Sequence, residues 1–299
     1  MASGNERVSP LASVAATREV LEQHGLHTKK SLGQNFLIND GIVRKIISLA
    51  DVSSDDMVLE VGPGIGTLTV ALLKSAQSVV SIERDPDLPD VLAHTCASWA
   101  DRFTLIQDDA LAVQPDDLPF APTKLVSNLP YAVAATVVLG YFERFDSLQS
   151  ATVMVQAEVA DRMAAQPGAK DYGAYTVKLA QYAQVHGRFP VSAGNFFPPP
   201  RVQSAVIRLD RIPLANTSEA RALREATATM ADAAFATRRK TIANSCKTYF
   251  GNRVSSDQLA CVFEEAGIDP RRRGETLSLD EFRALGTVAL AAGIVNPEQ

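Results

Sequence analysis

The sequence is poor in cysteine and histidine, which excludes several stabilising chemistries. Its three cysteines, Cys96, Cys246 and Cys261, are scattered, odd in number and never arranged as C-x-x-C. That usage argues against a disulfide framework or structural zinc and fits a reducing, cytoplasmic setting. The four histidines, His24, His27, His94 and His186, show no metal-ligand spacing, so no metal is expected. Long apolar runs are also missing. The main apolar stretches, 132–142 and 284–295, fall well short of the ~18–20 residues of a membrane span. Residues 1–10 lack an apolar signal core, so neither secretion nor a membrane partner is expected. Nor is there a basic excess: the net charge is −5. The charge is nevertheless unevenly spread. Residues 51–150 hold 5 basic and 15 acidic groups, whereas 171–250 hold 11 basic and 5 acidic. Phosphate binding depends on local positive surface, so the second stretch keeps a nucleic-acid partner open.

With 299 residues, 46% apolar and 21% charged, the chain is expected to fold as one large domain plus a smaller one. Short apolar runs at 57–61, 78–82, 103–106, 124–127 and 151–155 alternate with helix-like segments, and 202–209 reads as a late strand. This pattern predicts an α/β fold with a Rossmann-like parallel sheet covered on both faces. From about residue 217 the sequence turns alanine-rich with helical period over 218–236, 241–250, 256–266 and 278–292. The expected organisation is an N-terminal arm and short helix (1–28), a Rossmann-like domain (29–212) and a smaller C-terminal α-helical domain (213–299).

Polar clusters close three successive strands, at Glu83, Asp109 and Asn128. Ligands of open parallel sheets sit at such carboxyl ends. Glu60-Val61-Gly62-Pro63-Gly64-Ile65-Gly66 follows the first strand. A dinucleotide fingerprint would need glycine at position 67, where this chain has Thr67. The acid followed by G-x-G-x-G instead resembles the cofactor loop of S-adenosylmethionine-dependent methyltransferases. Glu83, 21 positions after Gly62, suits the two ribose hydroxyls. Asp109 suits an adenine amino group, with Asp108 as the alternative.

Asn128-Leu129-Pro130-Tyr131 is the most informative tetrapeptide. An exocyclic adenine amine is a poor nucleophile because its lone pair is delocalised into the ring. Two acceptors on its hydrogens, the Asn128 side-chain oxygen and the Leu129 carbonyl, would direct that lone pair at a methyl group. Pro130 stiffens the turn, and Tyr131 offers a face for an unstacked base. In Phe196-Phe197-Pro198-Pro199-Pro200-Arg201, one ring is expected to stack from the opposite side. Phe197 is the better candidate for a hydrophobic plug, and Arg201 for a backbone contact. Asn35 in the 29–37 segment is expected near the cofactor's methionine end. Lys29, Lys30, the Arg238-Arg239-Lys240 cluster and the Arg271-Arg272-Arg273 cluster are candidate phosphate contacts.

Together, KKSLGQNFL, EVGPGIGTLT, SIERD, QDDAL, SNLPY, FFPPPRVQSAV, RRKTIANS and GIDPRRRGETLSLDEF resemble the KsgA-type ribosomal RNA adenine dimethyltransferases across about 28–285. The resemblance implies dimethylation of two adjacent adenines in a hairpin near the 3′ end of small-subunit rRNA. It also implies S-adenosylmethionine as cofactor and a monomer acting on an assembling 30S particle. By position it implies cofactor contacts at Asn35, Leu37, Gly62, Glu83, Asp109 and Asn128, the adenine site at 128–131, and stacking by Phe196. Two positions depart from the family pattern: Ala132 stands where asparagine is common, and Gln203 where aspartate is common. The alternatives are the macrolide-resistance methyltransferases of large-subunit rRNA and a non-catalytic RNA-binding relative.

Overall fold

The computed structural model describes residues 7–27 and 34–295. Its strands are β1 (Phe36–Leu37), β2 (Met57–Val61), β3 (Ser78–Glu83), β4 (Phe103–Gln107), β5 (Lys124–Asn128), β6 (Ser150–Gln156), β7 (Ala183–Val191), β8 (Phe196–Phe197) and β9 (Ser204–Arg211). Its helices are α1 (Val14–Gln23), α2 (Asp40–Ala50), α3 (Thr67–Ser75), α4 (Pro89–Thr95), α5 (Ala134–Arg144), α6 (Ala157–Ala164), α7 (Ala174–Ala180), α8 (Ser218–Phe235), α9 (Ile242–Phe250), α10 (Ser256–Glu265) and α11 (Leu279–Ala291). The chain divides into two compact units, one running to Ala160 plus Gln184–Arg211, the other Asp161–Ala183 plus Ile212 onward. Among the described residues no helix is long and apolar enough to cross a membrane.

The first unit is built on a sheet of order β4-β3-β2-β5-β6-β9-β7. Strands β2 to β6 pair in parallel, and β9 runs antiparallel to β6. The central strands are near-continuous buried runs, as a sheet covered on both faces requires. All five apolar runs from 57 onward appear as strands. The late strand starts two residues later than expected, at Ser204, after the proline loop. Strand β7 was not anticipated. Its sequence AQVHGRFPV is polar and mostly exposed, and it sits at the sheet edge, where proline and charge are tolerated. Helix α2 also went unread, although Asn39 caps it by accepting from the Gly41 and Ile42 amides.

Successive strands β2, β3 and β4 extend one way from the centre and β5, β6 the other. The strand order therefore reverses between β2 and β5, the place where open α/β sheets form a ligand crevice. Their register runs only through Val58↔Lys124 and Leu59↔Leu125. Beyond it, the Val61 amide donates to Ser127 Oγ at 2.8 Å, which satisfies that backbone donor outside the ladder.

The second unit is helical, with a core including Met230, Ile242, Phe263, Phe282 and Leu285. The four helices read from sequence appear as α8 to α11, each begun by a capping Thr217, Thr241, Ser255 or Ser278. The boundary expected at 212–213 needs one correction: 161–183 belongs to this unit as well. Tyr172 donates its hydroxyl to the Leu277 carbonyl at 2.9 Å, and Lys178 pairs with Asp232 at 2.6 Å. These partners lie far along the chain, so local composition does not reveal the assignment.

Helices α8 and α11 approach closely at Gly286. A Cβ there would meet Thr227 Oγ1 at 2.6 Å and the Thr227 backbone nitrogen at 2.8 Å. Alanine would recover ~1 kcal/mol of helix propensity, but overpacking against a backbone atom costs about 1–3 kcal/mol. Gly286→Ala is therefore expected to lower the urea midpoint at unchanged slope, and a midpoint at or above wild type would refute this packing argument.

Candidate active site

The turn after β2 depends on glycine at two positions. Gly62 has φ +69°, and a Cβ would meet Pro130 at 3.3 Å; Gly64 has φ +60°, and a Cβ would meet the Phe36 ring at 3.1 Å. Side chains there would be strained and would also fill the space between segments. The turn leads into α3 and borders a cavity of about 590 Å3 at the strand ends. Asn35, Leu37, Gly62, Glu83, Asp109, Asn128, Leu129, Pro130 and Tyr131 all line it. The structure thus brings together every residue expected from sequence at the cofactor and adenine sites except Phe196.

The cavity wall is acidic. Among the described residues, Glu60, Glu83, Asp85, Asp108 and Asp109 line it against a single cation, Arg84. Glu60 is 1% exposed. Its Oε2 accepts from Thr69 at 2.7 Å and Ser81 at 2.8 Å, while Oε1 is buried without a partner among the described residues. Burial pushes the Glu60 carboxyl up to about 7, with the two hydroxyl bonds opposing that rise. In the sequence Glu60 stands only as the acid before the glycines; an acid within an apolar strand is the signal that marks it. Glu83 accepts the Asp85 amide at 2.8 Å, and burial raises its carboxyl above the ordinary range. Asp109 Oδ1 accepts the Leu111 amide at 3.0 Å and Oδ2 pairs with Arg84 at 3.3 Å. That pair is exposed, so it is weak and exchangeable. Asp108 is exposed and accepts the Asp109 amide at 2.6 Å.

At the end of β5, Asn128 Nδ2 donates to the Asn35 carbonyl at 3.3 Å. This fixes the amide with its nitrogen committed and leaves its oxygen to serve as acceptor. The Leu129 amide donates to the Met154 carbonyl at 3.1 Å, which pins the next peptide. The Tyr131 hydroxyl meets Ser204 Oγ at 2.6 Å. Sequence gave no hint of this link, because the partners are 73 residues apart. Ala132 and Gln203, the two departures from the family pattern, are both exposed. The Gln203 carbonyl accepts from Ala157 at 2.9 Å, a backbone bond that the side-chain change leaves intact.

The expectation for Phe196 is corrected. Pairing of β1 with β8 sets Leu37 opposite Phe196 and Phe36 opposite Phe197. Phe196 is 2% exposed within the core of the first unit and does not line the cavity. Phe197 is only half-buried, with the Arg18 guanidinium 5.1 Å from its ring centre. The plug and the accessible ring are thus the reverse of the sequence reading, because strand alternation turns the first phenylalanine inward.

The expected phosphate contacts differ in kind. Lys29 and Lys30 lie outside the described residues. Arg201, Arg238, Arg239 and Lys240 are exposed, and Arg238 donates to the Lys170 carbonyl. The triplet is already engaged: Arg271 pairs with Asp269 at 3.0 Å, Arg272 with Glu281, and Arg273 with Glu275 at 3.7 Å. Arg272 also donates to the Thr276 carbonyl at 2.7 Å, so its place is structural. Nearby acids that a sequence run of arginines does not show account for the difference.

The chain matches the family Ribosomal RNA adenine dimethylase over residues 25–284. It is 41% identical over 283 residues to a Corynebacterium diphtheriae protein named ribosomal RNA small subunit methyltransferase A, covering 92% of this chain and 94% of that one. The same name is carried by a Thermobifida fusca protein, 42% identical over 277 residues, with 91% and 94% covered. Among solved structures, a dimethyladenosine transferase from Plasmodium falciparum superposes with a TM-score of 0.71 at 23% identity, covering 86% of this chain and 98% of that one. The 23S rRNA methyltransferase ErmE superposes with a TM-score of 0.61 at 24% identity, covering 85% and 99%. These two likenesses establish the methyltransferase fold, and the sequence matches establish the lineage: the chain belongs to the ribosomal RNA adenine dimethylase family.

Proposed function

We propose that this protein transfers methyl groups from S-adenosylmethionine to the N6 atoms of two adjacent adenines in a hairpin near the 3′ end of small-subunit rRNA, within an assembling 30S particle. The observation that carries the reading is the tethered Asn128 amide facing an acidic cavity at the sheet's switch point. The cavity suits the cofactor chemically. The unpartnered Glu60 Oε1 and the surplus of carboxylates match a ligand bearing ammonium and sulfonium charges, and Glu83 matches a ribose diol. Asn35 and Leu37 border the methionine end, Gly62 allows close backbone approach, and Asp109 accepts from the adenine amino group. When bound, S-adenosylmethionine would supply an electrophilic methyl group.

The protein's own contribution is positioning. Asn128 Oδ1 and the Leu129 carbonyl accept the two N6 hydrogens and turn the nitrogen lone pair out of the ring. Tyr131, held by Ser204, stacks on the base. Held this way, the N6 lone pair would be presented to the methyl group that bound S-adenosylmethionine would supply. The methylated nitrogen is acidic and releases its proton to water, so no strong general base is required. Orientation of this kind lowers the barrier by making the encounter intramolecular.

Methyl transfer to immature small subunits, with modified nucleotides mapped by mass spectrometry, tests the reading. Dimethyladenosine at two adjacent positions is expected. Modification confined to large-subunit rRNA, or cofactor binding without transfer, would replace it with one of the alternatives.

The exposed Arg238, Arg239 and Lys240 supply phosphate contacts in this reading. Neutralising all three is expected to reduce the slope of log affinity against log salt by about 2. An unchanged slope would place the RNA on another surface.

A further inference from the structure

Gln156 closes β6 and lines the cavity, yet the mechanism above gives it no task. Its backbone is fixed on both sides. It stands opposite Ser204 in the β6–β9 register, and the next amide, Ala157, donates to the Gln203 carbonyl at 2.9 Å. Ser204 is 1% exposed, and its hydroxyl contacts that of Tyr131 at 2.6 Å. One buried serine thus anchors the stacking ring through its side chain and Gln156 through the strand ladder. On the other flank, Met154, two residues before Gln156, is the register partner of Asn128.

The Gln156 side chain is half-buried and makes no hydrogen bond among the described residues. A primary amide offers two donors. At Asn128 one of the two already goes to the Asn35 carbonyl, and the Tyr131 hydroxyl meets Ser204. The other side chains beside the turn, Ala132 and Val133, are apolar. An adenine whose N6 hydrogens are gripped by acceptors still presents its flanking ring nitrogens, N1 and N7, which only accept.

We infer that Gln156 is a substrate-binding residue that donates a hydrogen bond to a ring nitrogen flanking N6. Stacking on Tyr131 fixes the plane of the base but leaves it free to rotate in that plane; a donor to N1 or N7 removes that freedom. The contact matters most for the second methyl group. After the first transfer N6 keeps one hydrogen, so one of the two N6 grips is gone, whereas the ring-nitrogen bond is unchanged.

This inference rests on the proposed N6 chemistry, and its test separates the two. Gln156→Met keeps length and apolar bulk but removes the donor. On immature small subunits it is expected to bind S-adenosylmethionine as wild type does, slow the first transfer by about tenfold, and accumulate monomethyladenosine. A tenfold loss corresponds to ~1.4 kcal/mol. Subunits reconstituted with 1-deazaadenosine or 7-deazaadenosine at the target positions identify the nitrogen. One of the two replacements should slow wild type to the variant's rate and leave the variant unaffected. Wild-type rate and product ratio in Gln156→Met would overturn the inference, as would a wild-type enzyme indifferent to both replacements, a readout that needs no folded variant. Failure of wild type on native subunits would instead defeat the proposed function.

Discussion

Asn128→Ala is expected to lower single-turnover methyl transfer at saturating cofactor by roughly a hundredfold or more, the scale of removing one preorganised polar partner of a reacting group. The substitution removes the acceptor that turns the N6 lone pair toward the methyl group. It also breaks the 3.3 Å tether from Asn128 Nδ2 to the Asn35 carbonyl, which borders the same cavity. Cofactor affinity must therefore be measured alongside, and Asn128→Asp gives a second variant that keeps an acceptor while losing the tether. A wild-type transfer rate in Asn128→Ala, with cofactor saturating, would refute the proposed chemistry regardless of family membership.

Glu83→Ala is expected to weaken S-adenosylmethionine binding by about two orders of magnitude, because two hydrogen bonds to a charged acceptor are lost together. The variant also strands the Asp85 amide, which donates to Glu83 Oε1 at 2.8 Å. Glu83→Gln retains an acceptor there and separates loop disorder from lost ribose contact. Calorimetry showing wild-type affinity in both variants would remove Glu83 from the site. The neighbouring Glu60 adds a pH dependence. Its carboxyl is raised by burial to about 7, so below that pH the empty site holds a proton that a cationic ligand must displace. Affinity should rise with pH and level off above about 7, and Glu60→Gln should flatten the profile. The sign for stability is opposite. The folded state holds the proton over a range where the unfolded carboxyl, near 4.5, has lost it. Glu60 therefore costs stability increasingly as pH rises from 4.5 through about 7.

Much of the site was legible because its chemistry is carried by contiguous residues. The glycine turn, Glu83 and the 128–131 tetrapeptide each close a strand with a strong apolar signature, and parallel strands deliver their carboxyl ends to one edge. Phe196 was misread for a local reason: two adjacent phenylalanines look equivalent in sequence, and only pairing with β1 decides which one turns inward. Arg271, Arg272 and Arg273 differ from the expectation for another local reason. Asp269, Glu275 and Glu281, all close along the chain, pair with them, so a run that looks like free positive charge is already engaged.

What the sequence determined by itself is the α/β class, the order of the five parallel strands along the chain, the helical second unit and the acidic, glycine-turned edge of the sheet. Each follows from periodicity, turn chemistry or charge within a few neighbouring residues. Tertiary structure alone decided the rest. It moved 161–183 into the helical unit, set Tyr131 against Ser204 and placed Gln156 opposite Ser204 in the strand ladder. It also buried Glu60 deeply enough to hold its proton near neutrality. These outcomes depend on register, burial and partners brought from 70 or more residues away, and a local pattern contains no information about any of the three.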